Sequence, residues 1–334
     1  MARFLKPLFL IFGLLLFIWV LRKVDLSQVG DLLLKMGPGL LVIILAYGLV
    51  AWFDALSWKY SFKPEEAETI HSFAIWRIRT IGETFNAITP LGTMGGEPVK
   101  AHLLKEKYGL TYKQGAASQV VARTTLTVSL ILFMIPGIVF LFMDKGISET
   151  FKFSSLTGLI TFSVLIFLFL LFQVTGTLSR IVHGFNRLFP TQTPRPSLEH
   201  LVALCGMMSG YYRQHRGLFL KSIAFGFLGW MAGVGELYLT LLFLGIPVGF
   251  KELWIIEALL QLVRAGSFFI PLSLGAQEGG LILIFTSMGM AGPLGLAVSF
   301  VRRIRELVWI ALGLLLGWGT AFKSSKVQLE PEDS

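Results

Sequence analysis

Residues 88–109 read ITPLGTMGGEPVKAHLLKEKYG. The stretch lies between long apolar runs, yet it carries two Pro, four Gly and Glu97. A second stretch, FFIPLSLGAQEGGLILIFTSMG at 268–289, breaks the hydrophobic pattern in the same manner. Pro90 and Glu97 are seven residues apart, as are Pro271 and Glu278, and the two pairs are offset by 181 residues. Gly109 and Gly289 close the short segments that follow, and Arg123 or Arg302 then opens a long apolar run. Each unit reads as an apolar half-helix, a Pro/Gly break, a Glu, a short half-helix and an Arg-headed span. Two matching Gly/Pro-interrupted segments in corresponding halves of a chain point to a transporter-type site.

The surrounding residues define the environment of these breaks. The chain has 334 residues, is 54% hydrophobic and has a mean hydropathy of +0.71. Charged residues make up 15%, against roughly 25% in soluble domains. Several apolar runs reach the roughly 20 residues that cross a bilayer as helix. The fold class that follows is an all-α, polytopic integral membrane protein; continuous apolar runs exclude the alternating pattern of a β-barrel. A break within the bilayer frees backbone N–H and C=O groups, which are tolerated only when buried in protein or lining a wet cavity. Segments 70–110 and 252–290 are therefore expected to be re-entrant hairpins whose tips meet near the midplane, with Glu97 and Glu278 at the tips.

Six full spans are expected at 7–21, 38–57, 116–143, 154–175, 218–244 and 296–321, with an amphipathic interfacial segment at 26–37. Trp52, Asp54 and Trp58 suit a membrane boundary. Residues 1–322 form a single transmembrane domain, with repeat one at about 64–143 and repeat two at about 250–322. Residues 179–217 read as a basic cytoplasmic linker and amphipathic helix, and 323–334 as a disordered tail. An odd number of spans between the hairpins makes the two repeats inverted. With both termini in the cytoplasm and each hairpin returning to its own side, sixteen Lys and Arg, Lys100 among them, fall inside and six outside. That bias satisfies the positive-inside rule. The expected location is a bacterial inner membrane, crossed several times.

The formal charge of +9 fits contact with anionic lipid, and no soluble basic domain exists to bind nucleic acid. The single cysteine, Cys205, excludes an intrachain disulfide and a Cys-based zinc cluster. The five His lack metalloprotease spacing, and no metal or cofactor is expected.

Ionisable groups inside membrane segments are expensive and usually functional. The acidic set is Asp54, Glu83, Glu97, Glu236, Glu257, Glu278 and Glu306; the basic set is Arg77, Arg79, Arg123, Arg264, Arg302, Arg303 and Arg305. Seven face seven, so internal pairing could neutralise all of them. Alternatively, the arginines take an anionic head group, since guanidinium matches phosphate oxygens and stays charged when desolvated. Candidate substrate-binding residues are Glu97, Glu278, Arg123 and Arg302, together with Asn86, Pro90, Pro271, Arg264 and Glu83.

The run N86-x3-P90-L-G-x2-GGE97-P with the Arg123 span, and FFIP271-x3-GAQE278-GG with the Arg302 span, resemble the flippase-like membrane family. That family includes the transmembrane region of lysylphosphatidylglycerol synthases and hopanoid-biosynthesis-associated membrane proteins; GAQEGG is similar to the hopanoid-associated branch. The resemblance covers nearly the whole chain. It implies movement of lipids or lipid-linked anionic precursors between leaflets. The chain stops soon after its last span, so tRNA-dependent lysyl transfer by a soluble domain is not expected. Two other functions stay open at this point: a non-catalytic scaffold for a lipid-synthesis complex, and a membrane-embedded transferase with Glu97 or Glu278 as base.

The charge distribution yields a topology test. An impermeant thiol reagent applied to intact cells should label cysteines introduced at 144–152 and spare those at 185–195. Strong labelling within 185–195 would overturn the inverted arrangement.

Overall fold

The computed structural model describes residues 26–88, 95–175 and 206–321 apart from 209, and 14–22 in part. Among these residues every regular element is helical. Pro90 with the rest of 89–94, most of the span expected at 7–21, the linker at 179–201, Cys205 and the tail lie outside the described residues.

The helices follow the apolar pattern closely. They are α1 (Leu26–Met36), α2 (Gly39–Lys59), α3 (Pro64–Glu68), α4 (Ser72–Ile88), α5 (Gly96–Tyr108) and α6 (Tyr112–Met143). After them come α7 (Glu149–Thr175), α8 (Arg216–Phe243), α9 (Phe250–Gly266), α10 (Ala276–Ser287) and α11 (Gly292–Ala321). Four are long and apolar enough to cross a membrane: α2, α6, α7 over Glu149–Phe172, and α8. Helix α11 has 30 residues, long enough to span, but Arg302, Arg303, Arg305 and Glu306 lie within it. The amphipathic segment at 26–37 forms α1, as its pattern predicts.

Local chemistry sets the ends of these helices. Gly109 and Gly289 adopt φ of 68° and 75°, a left-handed conformation that glycine reaches without a Cβ clash and that ends α5 and the α10 segment. Thr111 then starts α6 with a reciprocal cap: its hydroxyl accepts from the Gln114 N–H at 3.2 Å, and the Gln114 side chain accepts from the Thr111 N–H at 2.8 Å.

The helices α4–α5–α6 and α9–α10–α11 occupy equivalent places, and α2 and α8 precede them in the same way. The set of packing partners among these helices is kept when the halves are exchanged, although α8 packs far more extensively on α6 than α2 does on α11. α4 packs on α5 and α9 on α10; α5 packs on α6 and α10 on α11. α4 packs on α11, and its counterpart contact is α9 on α6. The contact of α2 with α8 maps onto itself.

Close approach at these contacts depends on small residues, as in lipid, where packing rather than water exclusion joins helices. Gly137 of α6 meets Ala258 and Trp254 of α9, and the Trp254 indole N–H donates to the Phe133 carbonyl at 2.8 Å. Gly313 of α11 meets Thr84 and the Thr80 carbonyl of α4. Between α2 and α8, Ser222 Oγ lies 2.7 Å from the Ser57 carbonyl and 2.7 Å from Thr125 Oγ1 of α6. The larger apolar core surrounds Phe133, Trp254, Ile256 and Phe285, and a smaller one surrounds Trp58, Phe62, Ile78 and Leu104.

Two side chains named in the sequence reading are buried inside the protein. Trp58 lies in the smaller core, with its indole N–H on Ser118. Lys100, counted in a cytoplasmic segment by the charge bias, is in α5 and buried at 6% exposure, because its stem lies over Gly82 in the space a side chain would fill.

The first hairpin gives a sharp stability test. A Cβ at Gly96 would overlap the Gly82 carbonyl, a backbone atom that cannot rotate away. Gly96→Ala should lower stability by about 1–3 kcal/mol through overpacking, read as a lower melting temperature in detergent. Gly235→Ala, where nothing lies within 4 Å of the new methyl, should leave the melting temperature unchanged or slightly raised.

Candidate functional site

A polar cavity with two adjoining lobes lies among α2, α4, α6, α8, α9 and α11. The first lobe, about 340 Å³, is walled by Tyr47, Glu236, Glu257, Arg302, Arg305, Glu306 and Trp309, among others. The second, about 330 Å³, is walled by Glu97, Lys100, Gln119 and Arg123. Asp54, Arg79, Glu83, Trp230 and Arg264 line both. The walls hold six acidic side chains (Asp54, Glu83, Glu97, Glu236, Glu257, Glu306) and six basic ones (Arg79, Lys100, Arg123, Arg264, Arg302, Arg305).

Most of these charges are already satisfied. Arg79 of α4 bonds Asp54 of α2 at 2.5 Å. Lys100 bonds Glu83 at 2.6 Å, with Glu97 3.6 Å away. Arg302 bonds Glu257 of α9 at 2.5 Å, and Gln261 donates to the same carboxylate at 2.7 Å. Arg305 is paired with Glu236 of α8 and stacks over the Tyr47 ring, 4.1 Å from its centroid. Arg302 and Arg305 are each 4% exposed, so these pairs are fully withdrawn from solvent.

Arg264 differs. Among the described residues its guanidinium has no hydrogen-bond or ion-pair partner. Glu306 acts on it most strongly among the carboxylates, and that group is already held by Arg303 at 2.9 Å. The unpaired cation therefore stands on the wall common to the two lobes. Arg123 is the other loosely held cation, 3.5 Å from Glu97 with its side chain 59% exposed.

The remaining candidate residues fall around this cavity in different ways. Glu97, Arg123, Glu83, Arg264 and Arg302 line it. Glu278 does not: at 0% exposure it accepts from the Gly275 N–H at 2.7 Å and from Arg303 Nε at 2.9 Å. Asn86 braces the first hairpin, accepting from the Gly96 N–H at 2.7 Å. Pro271 opens a 3-10 turn, Pro271–Ser273, at the tip of the second hairpin. Pro90 lies outside the described residues.

The counterpart of Arg123 is Arg303, and Arg302 turns instead to Glu257. The sequence carried the signal. The repeat offset is 181 at Pro90/Pro271 and Glu97/Glu278 but 180 at Gly109/Gly289, so repeat two is one residue shorter before the long helix. An offset of 180 maps Arg123 to Arg303 and Gln119 to Ser299. Tyr47 and Lys100 carried no comparable signal. Among the described residues no group of three or more His, Cys, Asp or Glu is placed to hold a metal ion.

A family model described as the lysylphosphatidylglycerol synthase transmembrane region matches residues 5–313, and the chain belongs to that family. It is 23% identical over 295 residues to a UPF0104 membrane protein of Methanothermobacter thermautotrophicus, a match covering 83% of this chain and 84% of that protein. No solved structure matches. The family fits a membrane protein with a lipid-related role.

The pairing pattern separates structural charges from available ones. Arg302→Met or Arg305→Met strands a buried carboxylate and should cost about 3–5 kcal/mol, read by unfolding in detergent. The double replacement Glu257→Leu with Arg302→Met should recover much of that loss. Arg264→Met abandons no partner and should not lower stability, since it removes a cation that lacks a direct partner. Equal losses at all three arginines would refute the distinction.

Proposed function

We propose that this member of the lysylphosphatidylglycerol synthase transmembrane family is a lipid translocase, passing the head group of a lipid or lipid-linked anionic precursor through the two-lobed cavity. The observation that carries the reading is the unpaired Arg264 guanidinium on the wall shared by both lobes. The strongest carboxylate influence on Arg264, Glu306, is already held by Arg303; a cation with no direct partner in a low-dielectric interior is unfavourable, and an anionic head group supplies that partner while crossing. Guanidinium suits that role because its planar fork donates to phosphate oxygens bidentately without losing its proton. Arg123, held only at 3.5 Å, is the second cation within reach of the same guest.

The exchangeable packing of the two halves supports an arrangement in which the hairpin units are inverted in the membrane, each serving one face. Both termini then lie in the cytoplasm of a bacterial inner membrane. Binding at Arg264 lowers the cost of bringing a charged head group to the bilayer centre, where a bare charge costs at least about 2.5 kcal/mol.

The test is leaflet exchange in proteoliposomes containing a tail-labelled fluorescent phosphatidylglycerol, read by dithionite quenching. The purified protein should accelerate exchange over protein-free vesicles. Arg264→Met should abolish the acceleration without lowering the melting temperature, and Arg264→Lys should retain part of it. Exchange at wild-type rate in Arg264→Met would remove Arg264 from the path, and no acceleration by the wild type for anionic or zwitterionic probes would remove the translocase reading.

A further inference from the structure

The two hairpins are fastened to the long helices that follow them by equivalent residues in opposite conditions. In repeat one, Gln119 donates to the Glu97 carbonyl at 3.2 Å, and Arg123 reaches the Glu97 carboxylate only at 3.5 Å. In repeat two, Ser299 donates to the Glu278 carboxylate at 3.1 Å and Arg303 at 2.9 Å. Gln119 and Arg123 are four apart on α6, as are Ser299 and Arg303 on α11, so each pair presents one helical face to its hairpin.

Solvent access to the two fastenings is reversed. The Glu278 and Arg303 side chains are 0% and 15% exposed; those of Glu97 and Arg123 are 31% and 59%. In repeat one, Glu97 Oε2 and Gln119 Oε1 are buried and bond nothing. In repeat two the atom left without a partner is instead a donor, Arg303 Nη2. Repeat one thus holds the same latch in a loose, solvent-exposed form.

The closed latch of repeat two works against its own tip. Arg303 Nη1 donates to the Leu272 carbonyl at 2.9 Å. Leu272 and Ser273 both lie at positive φ, 55° and 49°, a left-handed conformation disfavoured for consecutive residues other than glycine. Leu272 also lines the first lobe.

We infer that Glu97–Arg123 and Glu278–Arg303 are two latches that close in alternation, so that engaging one accompanies release of the other and moves access to the cavity from one hairpin to its counterpart. This deepens the translocase reading by naming how the cavity would change sides, and it rests on that reading only for its purpose. The exchange itself needs no cargo.

The experiment reads the latches without lipid transport. In the chain with Cys205→Ser, single reporters Thr127→Cys, in the second lobe, and Ser299→Cys, a member of the repeat-two latch whose thiol replaces the hydroxyl in every variant compared, are treated with a maleimide in detergent. In the starting chain Thr127→Cys should react readily and Ser299→Cys slowly. Adding Glu278→Gln should raise the rate at 299 several-fold and lower it at 127 by a comparable factor, because a state with repeat two released gains population. Adding Glu97→Gln to Glu278→Gln should restore the rate at 127, since no repeat-one latch is left to close.

A rise at 299 with no fall at 127 means that Glu278 only braces its own hairpin, and it overturns the inference. The alternation also fails if the double variant does not restore the rate at 127. If Glu278→Gln does not elute as a folded monodisperse species, Arg303→Lys, which keeps the charge and loses the fork, is read in its place with the same expected reciprocity. Reciprocal labelling without leaflet exchange would sink the translocase reading and leave the latches standing; leaflet exchange without reciprocity would do the converse.

Discussion

A guanidinium inside a bilayer must face an oxygen, and this requirement organises the molecule more strictly than its apolar surfaces do. Lipid tails are as apolar as leucine, so greasy helices gain little from meeting one another. Charges gain a great deal, because leaving one unpaired in a low dielectric costs several kcal/mol. The pairs accordingly run between helices. Arg79 ties α4 to α2, Arg302 ties α11 to α9, Arg305 ties α11 to α8, and Arg303 ties α11 to α10. Helix α11 supplies three of these four ties, so its phase positions three neighbours at once. Against this network Arg264 stands out as the cavity arginine that makes no hydrogen bond or ion pair among the described residues.

Shape completes what charge begins. Glycines sit where backbones must approach: Gly137 against α9, Gly313 against α4, Gly96 against the Gly82 carbonyl. Hydroxyls then take up short-range polar contacts that a salt bridge would be too long to make, as Ser57, Thr125 and Ser222 do among α2, α6 and α8. The cavity is what remains between these two kinds of contact. Its walls are polar because pairs must face each other across helix boundaries, and it stays open because pairs of long side chains hold helices farther apart than glycines do.

The helices, their ends and the two broken segments were readable from the sequence because each follows from one-dimensional patterns. Apolar run length set α2, α6, α7 and α8, and glycine marked the stops at 109 and 289. The site was only partly readable. Arg302, Arg303 and Arg305 occupy one turn but project in different directions, roughly 100° per residue, and choosing among them required the helix phase. That phase hangs on a single-residue shortening of repeat two, visible in the Gly109/Gly289 spacing but not at Pro and Glu. The burial of Lys100 was hidden for another reason. Charge counting treats every lysine near a span end as solvated, whereas a long apolar stem can fill the space left by a glycine and carry the ammonium inward.

The self-mapped contact between α2 and α8 carries a mechanical consequence. Any motion that trades the surroundings of one half for those of the other must interchange α4·α11 with α6·α9, and hairpin with hairpin. The α2·α8 seam alone is carried onto itself and need not be remade. In the alternation inferred above it would act as the fulcrum, with the buried serines that pin it as bearings between two opposed lever arms.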